Sequence, residues 1–160
     1  MKVDHGFMVS MSVLWPHATE WPVQVVPLAV NTVQHPLPAP ARCFKLGKAL
    51  GKAIAAYPDD LRVVVIGTGG MSHQLQGERA RLINKRFDLM FLETIATDPD
   101  ALARLSVRDV VEAAGSEGVE LIMWLVMRGA LGERVAMVHR HYHIPVSSTG
   151  AGVLVLEKVA

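Results

Sequence analysis

Val63-Val64-Val65-Ile66-Gly67-Thr68-Gly69-Gly70-Met71-Ser72-His73 is the stretch that decides the fold class. Four consecutive β-branched residues read as a strand buried on both faces, the signature of a parallel or mixed sheet covered by helices. The glycines that follow mark the carboxyl end of that strand, where open α/β sheets place their ligands. They deliver His73 into a loop, and imidazole is the side chain best suited to proton transfer near neutral pH. The loop has no G-x-G-x-x-G spacing and no Gly-Lys-Ser/Thr, so it predicts neither a dinucleotide site nor a P-loop.

Outward from this run, Val23 to Val30 reads as an edge strand interrupted by Pro27, and Pro36, Pro38 and Pro40 as a rigid loop. Residues 1 to 22, with Trp15, Pro16, Trp21 and Pro22, read as irregular. Helical spacing predicts a helix over Ala41 to Tyr57 and a charged surface helix over Gly77 to Ile95. The Ser106 and Asp109 pair opens a short helix to Ala114, and Ser116 is placed to cap another from Glu117 to about Leu131. Val135 to His143 and Gly152 to Leu156 close the chain as strands. No repeat or linker divides residues 1–160, so one α/β domain is expected.

The composition narrows the function classes. The chain is 51% hydrophobic with a formal net charge of +1 and no long basic run, which offers nothing to nucleic acid or anionic lipid. Trp15, Trp21 and Trp124 form no stacking platform with basic neighbours. No apolar stretch approaches the ~20 residues that span a bilayer. The surplus of apolar residues fits a buried interface with a partner. One cysteine, Cys43, cannot form an internal disulfide, and the start of the chain lacks the apolar stretch of a secretory signal, so a reducing cytoplasm is expected. Cys43 reads as a packing residue.

Three groups of side chains stand out chemically. Glu120 lies within a helical stretch, Val119 to Met127, that is apolar on every side, on the stripe of Trp124 and Met127, so its carboxylate must be paired, protonated or metal-bound. His139, His141 and His143 recur at the period of a strand, and two of them could chelate a metal. Ser147, Ser148, Thr149 and Gly150 form a polar cluster between strands, without a G-x-S-x-G elbow. His5, His17 and His35 read by themselves as loop or surface groups.

The segments Asp4-His5-Gly6-Phe7-Met8, Asn31-Thr32-Val33-Gln34-His35-Pro36, Gly67 to Gln76 and Gly115 to Gly129, in this order, resemble the catalytic β subunits of the protocatechuate 4,5-dioxygenase family, class III extradiol ring-cleaving enzymes. The resemblance implies a partial version of that α/β fold, an Fe(II) cofactor, and extradiol cleavage of protocatechuate or a related catecholic acid such as gallate with dioxygen. It matches His73 to the family's acid/base histidine and Glu120 to its iron-binding carboxylate. His5 matches a second pocket histidine, and Ser147 a contact to the substrate carboxylate. Ser148 departs from the asparagine of the pattern. The likeness is to the C-terminal half of the subunit, and the seven histidines do not match the two histidine ligands of the iron. A second polypeptide is therefore expected, an N-terminal half or a small lid subunit, within an oligomer. Two other readings stand beside this one: an aromatic-acid-binding module that does not retain iron, and a self-contained metal hydrolase using the 139–143 histidines with Glu120.

Overall fold

The computed structural model describes residues 4–32 and 34–159. Residues 1–3, part of the start read for a secretory signal, and Val33 of the Asn31–Pro36 motif lie outside the described residues. The chain divides into two compact units, Met1–Val30 and Asn31–Ala160.

The first unit holds helix α1, His5–Leu14, where the sequence predicts irregular chain. The Asp4 carboxylate caps it by accepting from the Gly6 amide at 2.8 Å. Apolar residues surround α1 on every side, so the sequence shows no helical periodicity there. Phe7 meets Trp21 edge to face, with ring centroids 5.5 Å apart. The expected strand over 23–30 does not form, and Val26 is 94% exposed.

The second unit carries five helices, a 3₁₀ turn and a hairpin among its described residues. Helix α2, Pro40–Ala55, crosses helix α6, Ile122–Ala130, so closely that Gly47 and Gly129 face each other's backbones. Cys43 is buried on α2, and burial raises its thiol pKa, as befits a packing residue. Helix α3, Lys85–Thr97, contributes Phe91, whose ring meets Trp124 of α6 edge to face at 6.2 Å. Helix α4, Pro99–Ala103, is a short turn capped by Asp98, and α5, Val107–Ala114, opens on the predicted Ser106–Asp109 capping box. A 3₁₀ turn, Gly118–Leu121, leads into α6, which is buried almost throughout. The buried guanidinium of Arg128 donates to the carbonyls of Ile95, Gly132 and Glu133, closing the chain after α6.

Strands β1, Val135–His143, and β2, Ala151–Lys158, form a two-stranded antiparallel sheet with a register shift between Met137 and His139. Helices with this small sheet are compatible with a partial α/β fold. The element expected at its centre is absent: residues 62–66 are in no strand, and Val63, Val64 and Ile66 are 47%, 74% and 48% exposed. A strand needs a hydrogen-bonded neighbour, and among the described residues β1 and β2 pair only with each other. Two further expectations are corrected by capping. Helix α3 begins at Lys85, not Gly77, because the Asn84 side chain accepts from the Phe87 amide. Ser116 does not cap the last helix; its hydroxyl donates to the Glu117 carboxylate at 2.6 Å instead.

Candidate active site

Gly67 to His73 lies along the start of α6 and the 3₁₀ turn before it. A Cβ at Gly67 would press on Trp124 and Met127, and one at Gly69 would come 2.8 Å from the Glu120 Cβ. Gly69 also has φ +110°, a backbone that side chains rarely adopt. The glycines thus let the loop lie directly on the Glu120, Trp124 and Met127 stripe. The Gly70 amide donates to Glu120 Oε2 at 3.0 Å, and the Trp124 indole donates to the Gly69 carbonyl at 3.2 Å.

His73 comes from the same loop and is 7% exposed. Its amide donates to the Ala114 carbonyl at 2.8 Å and its carbonyl accepts from Gly118, so its backbone is tied to the residues just before Glu120. Its ring nitrogen Nδ1 lies 2.8 Å from the Met71 carbonyl. A carbonyl can only accept, so Nδ1 carries the proton, and in the neutral ring it is Nε2 that carries the lone pair. The ring also flanks Gly70: a Cβ there would lie 3.0 Å from His73 Cε1 and 3.2 Å from its Nδ1. Glu120 and His73 therefore both border Gly70.

The loop between β1 and β2 closes on the same segment. The Met71 amide donates to the Gly150 carbonyl at 2.8 Å, and the Gly150 amide to the Ser72 carbonyl at 2.9 Å. Ser147 lies in this connection and is exposed, three residues before Gly150. His5 opens α1 in the first unit and is exposed. His17 and His35 lie outside helices and strands.

The reading of a metal hydrolase built on β1 is corrected. Arg140 and Tyr142 bond to Glu93 and Asp88 of α3, so His139, His141 and His143, on alternate positions, face away from that helix and are exposed. Among the described residues no group of three or more His, Cys, Asp or Glu side chains is placed to hold a metal ion. Glu120 offers one carboxylate, half-buried, with one oxygen fixed by an amide, which suits one donor of a divalent ion and cannot make a whole site.

Sequence reasoning misses Asp88 and Tyr142. Asp88 is fully buried and accepts from the Ser72 amide at 2.9 Å, the Ser72 hydroxyl at 2.6 Å and the Tyr142 hydroxyl at 2.8 Å. Burial first, then the bond to Asp88 and its charge, push the Tyr142 phenol far above its ordinary pKa. A signal was present: Asp88 falls on the same face of α3 as Phe91, Leu92 and Ile95, where a carboxylate has no solvent.

The class that fold and site define is a partial α/β domain with a carboxylate and a half-free imidazole fastened to one glycine loop. The chain belongs to the family described as the catalytic LigB subunit of aromatic ring-opening dioxygenase, whose model matches residues 1–153. It is 45% identical over 155 residues to a gallate dioxygenase of Pseudomonas putida, an alignment covering 97% of this chain and 45% of that protein. It is 27% identical over 202 aligned positions to a 2,3-dihydroxyphenylpropionate/2,3-dihydroxicinnamic acid 1,2-dioxygenase of Comamonas testosteroni, covering 96% of this chain and 62% of the relative. A protein of the same description from Mycobacterium ulcerans is 42% identical over 73 residues, 46% of this chain and 22% of the relative. The chain thus spans less than half of the first of these relatives. Among the described residues no helix is long and apolar enough to cross a membrane.

Proposed function

We propose that this chain is the part of an extradiol dioxygenase catalytic subunit that supplies the acid/base histidine and the carboxylate ligand of Fe(II), corresponding to the C-terminal half. The substrate class is a catecholic acid such as gallate or protocatechuate. The observation that carries this reading is that one glycine brings the two groups together: the Gly70 amide donates to the Glu120 carboxylate, and the His73 ring flanks the same residue. The cleavage adds both atoms of dioxygen to the substrate and breaks one ring C–C bond beside a hydroxyl-bearing carbon, with no further reductant. When bound, Fe(II) supplies the redox chemistry that lets a catechol react with dioxygen.

The chain's own residues then have separable tasks. His73 Nε2 takes a proton from a catechol hydroxyl and later returns it, a task for a base near neutrality. Its other nitrogen is held by the Met71 carbonyl, so the ring enters the reaction in one tautomer. Glu120 contributes one oxygen donor to the metal, and the Gly70 amide steadies the carboxylate. Ser147, on the loop bonded to Met71 and Ser72, contacts the substrate carboxylate, while the role of second pocket histidine for His5 rests on the resemblance alone. The remaining metal donors come from a second polypeptide or segment, in an oligomer. The buried free Cys43 supports a reducing, cytoplasmic setting.

The test is oxygen uptake by the protein, loaded anaerobically with Fe(II) and given gallate or protocatechuate, alone and with a separately made N-terminal half of a relative. Uptake matched by ring-opened product in either mixture supports the reading. Tight binding of the aromatic acid with no uptake in both mixtures replaces it by the second reading, an aromatic-acid-binding module.

A further inference from the structure

The buried group that this function leaves unused is Asp88, and its contacts give it a task. The Ser72 amide and the Met71 carbonyl belong to one peptide unit, which is planar and rigid. Asp88 Oδ1 takes the N–H end of that plane at 2.9 Å, while the C=O end takes the proton of His73 Nδ1 at 2.8 Å. Fixing one end of a rigid plane fixes the other. A carboxylate bonded to the N–H also polarises the peptide and makes its carbonyl the stronger acceptor.

Asp88 is itself held. Its Oδ2 accepts from the Ser72 and Tyr142 hydroxyls, and the Ser72 hydroxyl accepts from the Asn84 amide at 2.7 Å. Helix α3, strand β1 and the glycine loop therefore converge on one carboxylate. Gly150 completes the arrangement, because a Cβ there would collide with Asp88 Oδ2. A carboxylate with no exposed surface is costly unless its hydrogen-bonding capacity is met, and three donors meet it here.

We infer that Asp88 is a positioning residue: through the Met71–Ser72 peptide it selects the Nδ1–H tautomer of His73 and leaves Nε2 as the working nitrogen. The catalytic consequence rests on the acid/base role proposed for His73. The tautomer itself does not, and it can be read without activity.

The test labels the histidines of the full chain isotopically and records two-bond proton–nitrogen correlations at about pH 8.5, above the ordinary imidazole range. Wild type is expected to show His73 as Nδ1–H. Asp88→Ala should move it toward the Nε2–H form preferred by free imidazole, and Asp88→Asn, whose oxygen can still accept from Ser72, should restore most of the Nδ1–H signal. Tyr142→Phe, which frees one side of the carboxylate, should give a smaller shift of the same sign. It decides the matter if Asp88→Ala does not fold. Folded variants that keep the wild-type tautomer overturn the inference. In the complemented enzyme, Asp88→Ala should lower kcat by ~10- to 100-fold with KM changed by less than about twofold, the mark of misplaced chemistry. Full turnover in His73→Ala would sink the acid/base reading while leaving the tautomer result standing. A wild-type tautomer in Asp88→Ala, with His73→Ala inactive, would do the reverse.

Discussion

A histidine with one ring nitrogen committed to a carbonyl has one nitrogen left to work with, and that restriction makes His73 useful. Replacing it by alanine in the complemented enzyme should lower turnover by ~10² to 10⁴, the usual worth of a general acid/base, as read by oxygen uptake. Glu120→Gln should retain the Gly70 bond through its remaining oxygen yet lose metal, so bound Fe(II) after gel filtration should fall well below that of the unaltered complex. Glu117 gives a pH prediction with a definite sign. Burial would raise its pKa, but bonds from the Ser116 hydroxyl and the Leu75 amide outweigh this and hold it below the ordinary carboxylate range. Its contribution is present above the unfolded glutamate pKa of about 4.3 and is lost as pH falls through the lower folded value. The melting temperatures of wild type and Glu117→Gln should therefore differ at neutral pH and converge on acidification. His73 and Glu120 were legible in the sequence because each breaks an apolar or glycine-rich context. Asp88 was hidden, since an acid in a stretch that reads as a charged surface helix is ordinary and only the burial of that face makes it unusual.

At the scale of elements, side-chain caps mark where α1, α3, α4 and α5 start, whereas α2 opens on Pro40 without one. The Asn84 side chain accepts from Phe87 and donates to the Ala113 carbonyl, linking the start of α3 to the end of α5. Asn84→Ala should cost about 1 to 2 kcal/mol in urea unfolding, a cap plus a part-buried bond. Helices α2 and α5 and both strands were legible because their patterns are local. Helix α1 was not, for its cap at Asp4 is followed by residues with no polar face. The failure at 62–66 has a different origin. Composition reports what a segment can do in a sheet, whereas strand formation depends on a neighbour that lies elsewhere, and β1 and β2 satisfy each other.

Across the whole molecule, the two units should differ in protection. Helix α1 has ten residues, below the ~12 to 15 at which isolated helices become stable, while α6 is enclosed in the core of the larger unit. Hydrogen exchange followed by mass spectrometry should show the α1 amides exchanging faster than those of α6, and equal protection would mean that α1 belongs to the same cooperative core. The clasp around the glycine loop also carries a consequence for the order of events in folding. Tyr142 reaches Asp88 across 54 residues of chain, and Glu120 reaches Gly70 across 50. Helices can form from neighbouring residues alone, but these ties cannot close until distant segments have met, at the entropic expense of long loops. On the ribosome the glycine loop emerges long before the hairpin that fastens it. The orientation of His73 should therefore be among the last features of this chain to mature.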